Sequence, residues 1–323
     1  MKKIIFTIII LSTLVIVFFI FYIPRHTDRN LILYRSLTTY DDIIYKTIDG
    51  EELMLDICMP TKEKYDIAPM IFYVHGGKFI GGDKTWMTLD IGEDVAIRLL
   101  EEGYALISVN YRLLTDEINL PSNIIDIKDA IRYVNSISVD YGLDPDNIGI
   151  WGSNFGAYLA LTVAYSPSGL FLGAYDLRNY PAEVNFVIDL YGPTDITEFW
   201  DLDSMSADEL TNVQNLLDVM YGLTMDVYNL TASDYATMSL YDPVSFVSSD
   251  TVPTIMIHGL NDDVVDIHQS ELLEARLITY SIDYQFYKIL GGNNGLSEIS
   301  TSEIENICDH IMDFIEPLYV NNV

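Results

Sequence analysis

Gly152-Ser153-Asn154-Phe155-Gly156 joins an apolar run at 147–151 to a helical run at 155–165. Glycines on both sides of a central residue let a strand turn sharply into a helix and push the central side chain out at the tip. A hydroxyl at such a tip attacks carbonyl carbons once a neighbouring base takes its proton. Here the tip is Asn154, and a carboxamide has no ionisable hydroxyl to activate. Ser153 is the only hydroxyl at the turn. It precedes the tip by one residue, so its side chain is expected to point away from the place where charge would develop. A second group of reactive types comprises His258, Asp262, Asp263, Asp266 and His268. Carboxylates and imidazoles at this spacing suit a metal ion. An acidic strand-to-helix loop explains them without one, and no metal or other cofactor is expected.

These residues need a frame. Short apolar runs at 53–59, 69–74, 104–110, 147–151, 184–191, 252–258 and 284–290 read as strands. Helical spacing at 91–102, 124–141, 155–165 and 299–318 alternates with them. Such alternation predicts an α/β fold with a mostly parallel sheet and helices on both faces. Residues 192–249, rich in Asp, Leu, Met and Tyr, break the rhythm and are expected to form a helical insertion that acts as a lid.

The chain has 323 residues, half of them hydrophobic, which is enough for one large domain. Its net charge of −31 repels nucleic-acid phosphates, so nucleic acid is excluded as a partner. The acids are spread along the chain, which reads as a generally acidic surface rather than a cation-binding patch. Cys58 and Cys308 lie in apolar runs and are expected as buried free thiols; one long-range bridge is the alternative outside the cytosol.

Lys2 and Lys3 precede an uncharged apolar run at 4–23 that ends at Pro24-Arg25. Its 20 residues match the ~20 needed to cross a bilayer. A cleaved signal peptide is the alternative, but the run is long for one and no Ala-x-Ala site follows. Residues 1–24 are therefore expected as a membrane anchor, 25–39 as a juxtamembrane linker and 40–318 as the folded domain. A single-pass protein with its domain on the extracytoplasmic side follows from Lys2 and Lys3.

Five blocks then fall in one order. His75-Gly76-Gly77-Lys78-Phe79-Ile80-Gly81-Gly82-Asp83-Lys84 resembles an H-G-G-G-x-x-x-G-D loop. Asn110-Tyr111-Arg112-Leu113 is similar to an N-Y-R-L strand end. The run Gly142-Leu143-Asp144-Pro145 leads into the turn, Tyr191-Gly192-Pro193-Thr194-Asp195 fits the next strand end, and His258-Gly259-Leu260-Asn261-Asp262 fits an H-G-x-x-D strand end. Together they resemble the α/β-hydrolase-fold carboxylesterases of the hormone-sensitive-lipase-like and feruloyl-esterase-like kind.

The resemblance implies a Ser-Asp-His triad in that chain order. Asn154 stands at the nucleophile position and Asp262 at the acid position. The histidine belongs in a turn that here reads Gly291-Gly292-Asn293-Asn294-Gly295, so Asn294 takes its place. Of the five histidines, His26, His75, His258, His268 and His310, none falls on that turn. The oxyanion hole is implied at Gly76, Gly77, Lys78 and Phe155, with Lys78 in place of a glycine and Phe155 bulky enough to fill substrate space. Two readings remain. In one the chain is a pseudoenzyme that binds a small ester-like molecule or a protein partner in the old active site. In the other it is a carboxylesterase with a non-standard mechanism.

Overall fold

The computed structural model describes residues 28–319. Its first half runs α1 (Asp28–Leu37), β1 (Tyr40–Ile48), β2 (Glu51–Cys58), β3 (Ala68–Val74), α2 (Gly92–Glu101), β4 (Ala105–Val109), α3 (Leu120–Tyr141), β5 (Leu143–Ser153) and α4 (Phe155–Tyr165). The second half runs β6 (Phe186–Leu190), α5 (Ala207–Tyr221), α6 (Ala232–Ser239), α7 (Pro243–Phe246), β7 (Thr254–Gly259), α8 (His268–Tyr280), β8 (Tyr284–Ile289) and α9 (Thr301–Ile315).

The strands form one eight-stranded sheet in the order β1-β2-β4-β3-β5-β6-β7-β8. The β1–β2 and β2–β4 pairs are antiparallel, and the pairs from β4–β3 onward are parallel. Parallel neighbours need crossovers, which place helices on both faces. β3 is buried throughout: Met70, Phe72 and Val74 enter one core, while Ile71 and Tyr73 enter the other. α3, α4 and α8 pack into the first core; α2, α9 and Tyr34 of α1 pack into the second. This is the α/β-hydrolase architecture expected from the sequence.

Residues 25–39 were expected as a linker, yet 28–37 form α1, which docks on the domain. Tyr34 is 2% exposed, and its hydroxyl donates to Asp56 Oδ2 at 2.7 Å. Asn30 Nδ2 donates to the Thr88 carbonyl at 3.0 Å. Its ten residues, DRNLILYRSL, carry no clear apolar period, so the contacts of Asn30 and Tyr34 with the domain disclose it where the sequence pattern did not. The final helix is shorter than the expected 299–318. It ends at Ile315, and Pro317 lies in a short 3₁₀ turn beyond.

The 192–249 insertion folds into α5, α6 and α7 with short 3₁₀ turns before them. Ser206 with Glu209 and Thr231 with Asp234 form capping boxes that start α5 and α6. Leu217 and Met220 anchor α5 in the first core. Cys58 and Cys308 are both buried and free. The apolar run at 4–23 lies outside the described residues; among the described residues, no helix is long and apolar enough to cross a membrane.

Candidate functional site

β5 runs directly into α4, and Asn154 stands between them at φ 54°, ψ −129°. That backbone is strained for a residue with a side chain. Packing enforces it. A Cβ on Gly156 would lie 2.1 Å from the Val74 carbonyl oxygen, and one on Gly152 would lie 2.4 Å from the Gly156 backbone. Helix and strand cross too closely for anything but glycine at these two positions, so the residue between them is thrust outward. The Asn154 N–H donates to the Leu190 carbonyl at 2.9 Å and ties the tip to β6.

Asp262 follows β7 and Asn294 follows β8, so neighbouring parallel strands deliver both to the end of the sheet where Asn154 sits. Asn294 Nδ2 donates to Asp262 Oδ2 at 3.0 Å, and Asn154 Nδ2 donates to Asn294 Oδ1 at 3.4 Å. The Phe155 N–H in turn donates to Asn154 Oδ1 at 2.8 Å. The acid dictates this direction. An ionised carboxylate only accepts, so Asn294 must offer its amide nitrogen and turn its oxygen to Asn154. Asn154 must then donate to Asn294, which leaves its own oxygen on the Phe155 N–H. A hydroxyl–imidazole–carboxylate triad has the same donor order, but nothing titrates between Asn154 and Asp262 here.

Burial alone would raise the Asp262 carboxyl. Hydrogen bonds from His258, the Val265 N–H, Asn294 and the Val264 N–H outweigh it and hold the group below the ordinary carboxylate range. His258 supports the acid loop. Its Nε2 lies 2.8 Å from the Val265 carbonyl and 3.6 Å from Asp262 Oδ2, and its Nδ1 lies 2.7 Å from Ser270 Oγ. Because a carbonyl only accepts, the ring proton is on Nε2, and Ser270 donates to Nδ1.

The other described histidines are engaged elsewhere. His75 stacks on Tyr111 at 4.3 Å, and burial pushes its pKa down to about 4. His268 meets Glu198 at 3.3 Å, and His310 packs on Tyr287 at 4.1 Å. None lines the cavity beside Asn154. His26 lies outside the described residues. Among the described residues, no group of three or more His, Cys, Asp or Glu is placed to hold a metal ion, and His258 and Asp262 are engaged as above.

A cavity of about 100 Å³ opens beside the relay. Gly76, Gly77, Lys78, Asn154 and Asn294 line it, joined by Tyr73, Trp86, Asp90, Ser153 and Tyr191. Phe155 does not line it. It is fully buried and turns inward against Phe79 at 4.9 Å and Phe199 at 5.3 Å. The expectation that its bulk fills substrate space is therefore corrected: the Phe155 N–H is occupied by the Asn154 oxygen instead. No residue of 192–249 lines the cavity.

Ser153, expected to point away from the site, also lines the cavity, with Oγ 3.4 Å from the Tyr73 hydroxyl. Burial pushes the Tyr73 and Tyr191 hydroxyls up, so neither serves as a base for Ser153. Asp90 is the cavity carboxylate that sequence reading missed. The residue is exposed overall, yet crowding around its carboxyl pushes it up to about 6. A Cβ on Gly295 would lie 3.0 Å from Asp90 Oδ2, so the carboxyl sits against the Asn294 turn. Nothing in the pattern around Asp90 marked it, whereas Tyr191 opens a recognisable block.

Residues 55–277 match the family model described as BD-FAE. The probable carboxylic ester hydrolase LipM of Mycobacterium tuberculosis is 27% identical over 260 residues, which is 75% of this chain and 52% of LipM. Esterase LipQ of the same organism is 25% identical over 275 residues, 84% of this chain and 60% of LipQ. The chain thus spans little more than half the length of these curated relatives. Among solved structures, a truncated carbohydrate esterase from gut microbiota superposes with a TM-score of 0.67 at 24% identity, covering 87% of this chain and 98% of that one. A butyrate-bound esterase of Thermogutta terrifontis gives 0.66 at 17% identity, covering 85% and 93%. Both are likenesses of fold.

Proposed function

The chain belongs to the BD-FAE family of α/β-hydrolase carboxylesterases, hormone-sensitive-lipase-like in type, and from this premise we propose that it is a pseudoenzyme that binds a ligand in the old active site. One observation carries the reading: Asn154 and Asn294 replace hydroxyl and imidazole while keeping the hydrogen-bond chain to Asp262. Losing the nucleophile or the base of a triad costs about 10⁶-fold in kcat. The residual rate of such mutants depends on open oxyanion donors. Here the Asn154 oxygen covers the Phe155 donor, which supports a site that holds rather than cleaves. Its ligand is a small ester-like molecule or a segment of a partner protein. Nucleic acid is disfavoured by the net charge of −31.

A fluorophosphonate probe tests the reading, read by intact mass alongside turnover of short acyl esters. Neither labelling nor turnover is expected. A phosphonylated protein would overturn the reading. The double substitution Asn154→Ser with Asn294→His is expected to react with the probe, because the strained tip and the ionised Asp262 are already in place.

A second reading, direct hydrolysis by a water held between Asn154 and Asn294, draws on the retained Asp262 and on the names of the esterase relatives. Ester turnover abolished by Asp262→Ala would favour it. We also propose that residues 4–23 anchor the protein in the cell membrane with the domain on the extracytoplasmic face, on the strength of their length, lack of charge and preceding Lys2 and Lys3. Washing membranes with alkaline carbonate tests the anchor. The full chain is expected to stay in the pellet, and its release would refute anchoring.

A further inference from the structure

Most polar side chains in the cavity wall already have partners. Asn154 and Asn294 bind each other and pass the chain on to Asp262. The Tyr73 hydroxyl donates to the Trp86 carbonyl at 3.2 Å and lies 3.4 Å from Ser153 Oγ. The Tyr191 hydroxyl shares a hydrogen bond with Ser153, and Lys78 has a partner of its own. Asp90 is the exception. Among the described residues, its carboxyl accepts no hydrogen bond and forms no ion pair. A carboxylate drawn partly out of water without a donor is costly, and a ligand that supplies one relieves the cost.

The fold fixes where this carboxyl sits. Asp90 stands between the buried Leu89 and Ile91 at φ 51°, a left-handed backbone that is strained for a residue with a side chain. Its carboxyl lies against the Asn294 turn: a Cβ on Gly295 would be 3.0 Å from Oδ2 and 3.1 Å from Cγ. The charge of Asp90 reaches the Tyr73 and Tyr191 hydroxyls. Burial and that charge push both hydroxyls up, so they stay protonated. Burial accounts for the rise of Asp90 itself. A close cation would pull the carboxyl down, so Lys78, in the same wall, does not neutralise it.

We propose that Asp90 is the ligand-binding carboxylate of this cavity and that the ligand is a small protonated amine, its ammonium on Asp90 and its carbon stem in the space lined by Tyr73, Trp86 and Leu89. This names the ligand of the site described above and rests on the reading that the site holds rather than cleaves. An ionised carboxylate only accepts, so its partner must donate. An ammonium donates and also cancels the charge, which makes the bond stronger than one from a neutral donor. An ester without an amine offers acceptors alone and leaves Asp90 unanswered. The indole of Trp86 in the wall suits a cation, and a net charge of −31 draws cations toward the opening and repels anions. The cavity of about 100 Å³ limits the stem to a few heavy atoms. Pairing favours the ionised form of Asp90, so an amine that binds near pH 6 displaces a proton.

Three probes of similar size and different charge test it: propylamine, 1-propanol and propionate. The full chain in detergent micelles is titrated with each, and dissociation constants are read by ligand-detected NMR. Near neutral pH, propylammonium is expected to bind roughly tenfold or more tighter than 1-propanol, with propionate weakest. Asp90→Asn should abolish the preference for the amine and leave 1-propanol unchanged. The substitution alters a net charge of −31 by one unit, so general attraction to the surface persists. Asparagine suits φ 51°, and Asp90→Gly repeats the comparison if the first variant fails to fold. Lowering the pH through about 6 protonates Asp90 and should weaken propylammonium alone, because the amine itself keeps its charge throughout. The other ionisable groups around Asp90 are Lys78, Tyr73, Tyr191 and, through Asn294, Asp262, with Glu93 and Asp94 at the start of α2. All of them remain in Asp90→Asn, so a pH dependence that survives there would overturn the proposal. Equal affinity for the three probes, tighter binding of propionate, or no binding of propylammonium would overturn it too. Phosphonylation by the fluorophosphonate would instead defeat the reading that the site does not cleave, and the ranking of the three probes would still decide the role of Asp90.

Discussion

At the residue scale, two carboxamides occupy a triad without disturbing its hydrogen-bond order. Asn154 donates to Asn294, Asn294 donates to Asp262, and the spare Asn154 oxygen accepts from the Phe155 N–H. That last bond also caps α4, because the Phe155 N–H has no partner within its own helix. Asn154→Ala is therefore expected to lower stability by about 1 kcal/mol, as measured by urea unfolding, while exposing the Phe155 donor. No loss of stability would mean that the cap carries no weight. The substitution of hydroxyl and imidazole by amides was visible in the sequence because flanking glycines set the register of the turn. The covering of the Phe155 N–H was not, since it depends on which way an amide rotates, and Asp262 decides that from across the sheet.

At the element scale, β6 carries a buried acid next to the site. Asp189 is fully buried; its Oδ1 accepts from the Gly192 N–H at 2.9 Å, while its Oδ2 meets no partner. Burial pushes its carboxyl up to about 7, against the Gly192 hydrogen bond, which lowers it. Between the ordinary carboxylate value and about 7 the native chain holds a proton that the unfolded chain releases. Stability thus falls as pH rises through that window and levels off above it, by up to ~1.4 kcal/mol per pH unit from this group. Asp189→Asn is expected to flatten the dependence of Tm on pH across that window; an unchanged slope would sink the assignment. The strand itself was legible as an apolar run, but its aspartate gave no sign of a missing partner. The lid shows the same divide. Its helical content followed from composition and caps, whereas its absence from the cavity wall depends on Leu217 and Met220 packing into the core.

At the scale of the whole molecule, 48 acidic residues against 17 Lys and Arg leave a body that anionic headgroups repel. Retention of the protein in carbonate-washed membranes would therefore report insertion of residues 4–23 and not surface adsorption. Lys46, Lys62, Lys64, Lys84 and Lys288 are drawn into ion pairs, some of them buried, as Lys46 is with Asp126 and Asp129 at 2.8 and 2.6 Å.

The sequence by itself determined the alternation of strands and helices, the fold family, and the loss of hydroxyl and imidazole, because these reside in local periodicity and in motif registers a few residues long. Tertiary structure alone decided that α1 docks through Tyr34, that Phe155 turns into the core, and that Asp90 and Ser153 share a cavity with Lys78. It also decided how the Asn154 amide is oriented. Each of these depends on groups far apart in the chain meeting at the ends of the sheet strands, and no local pattern records such a meeting.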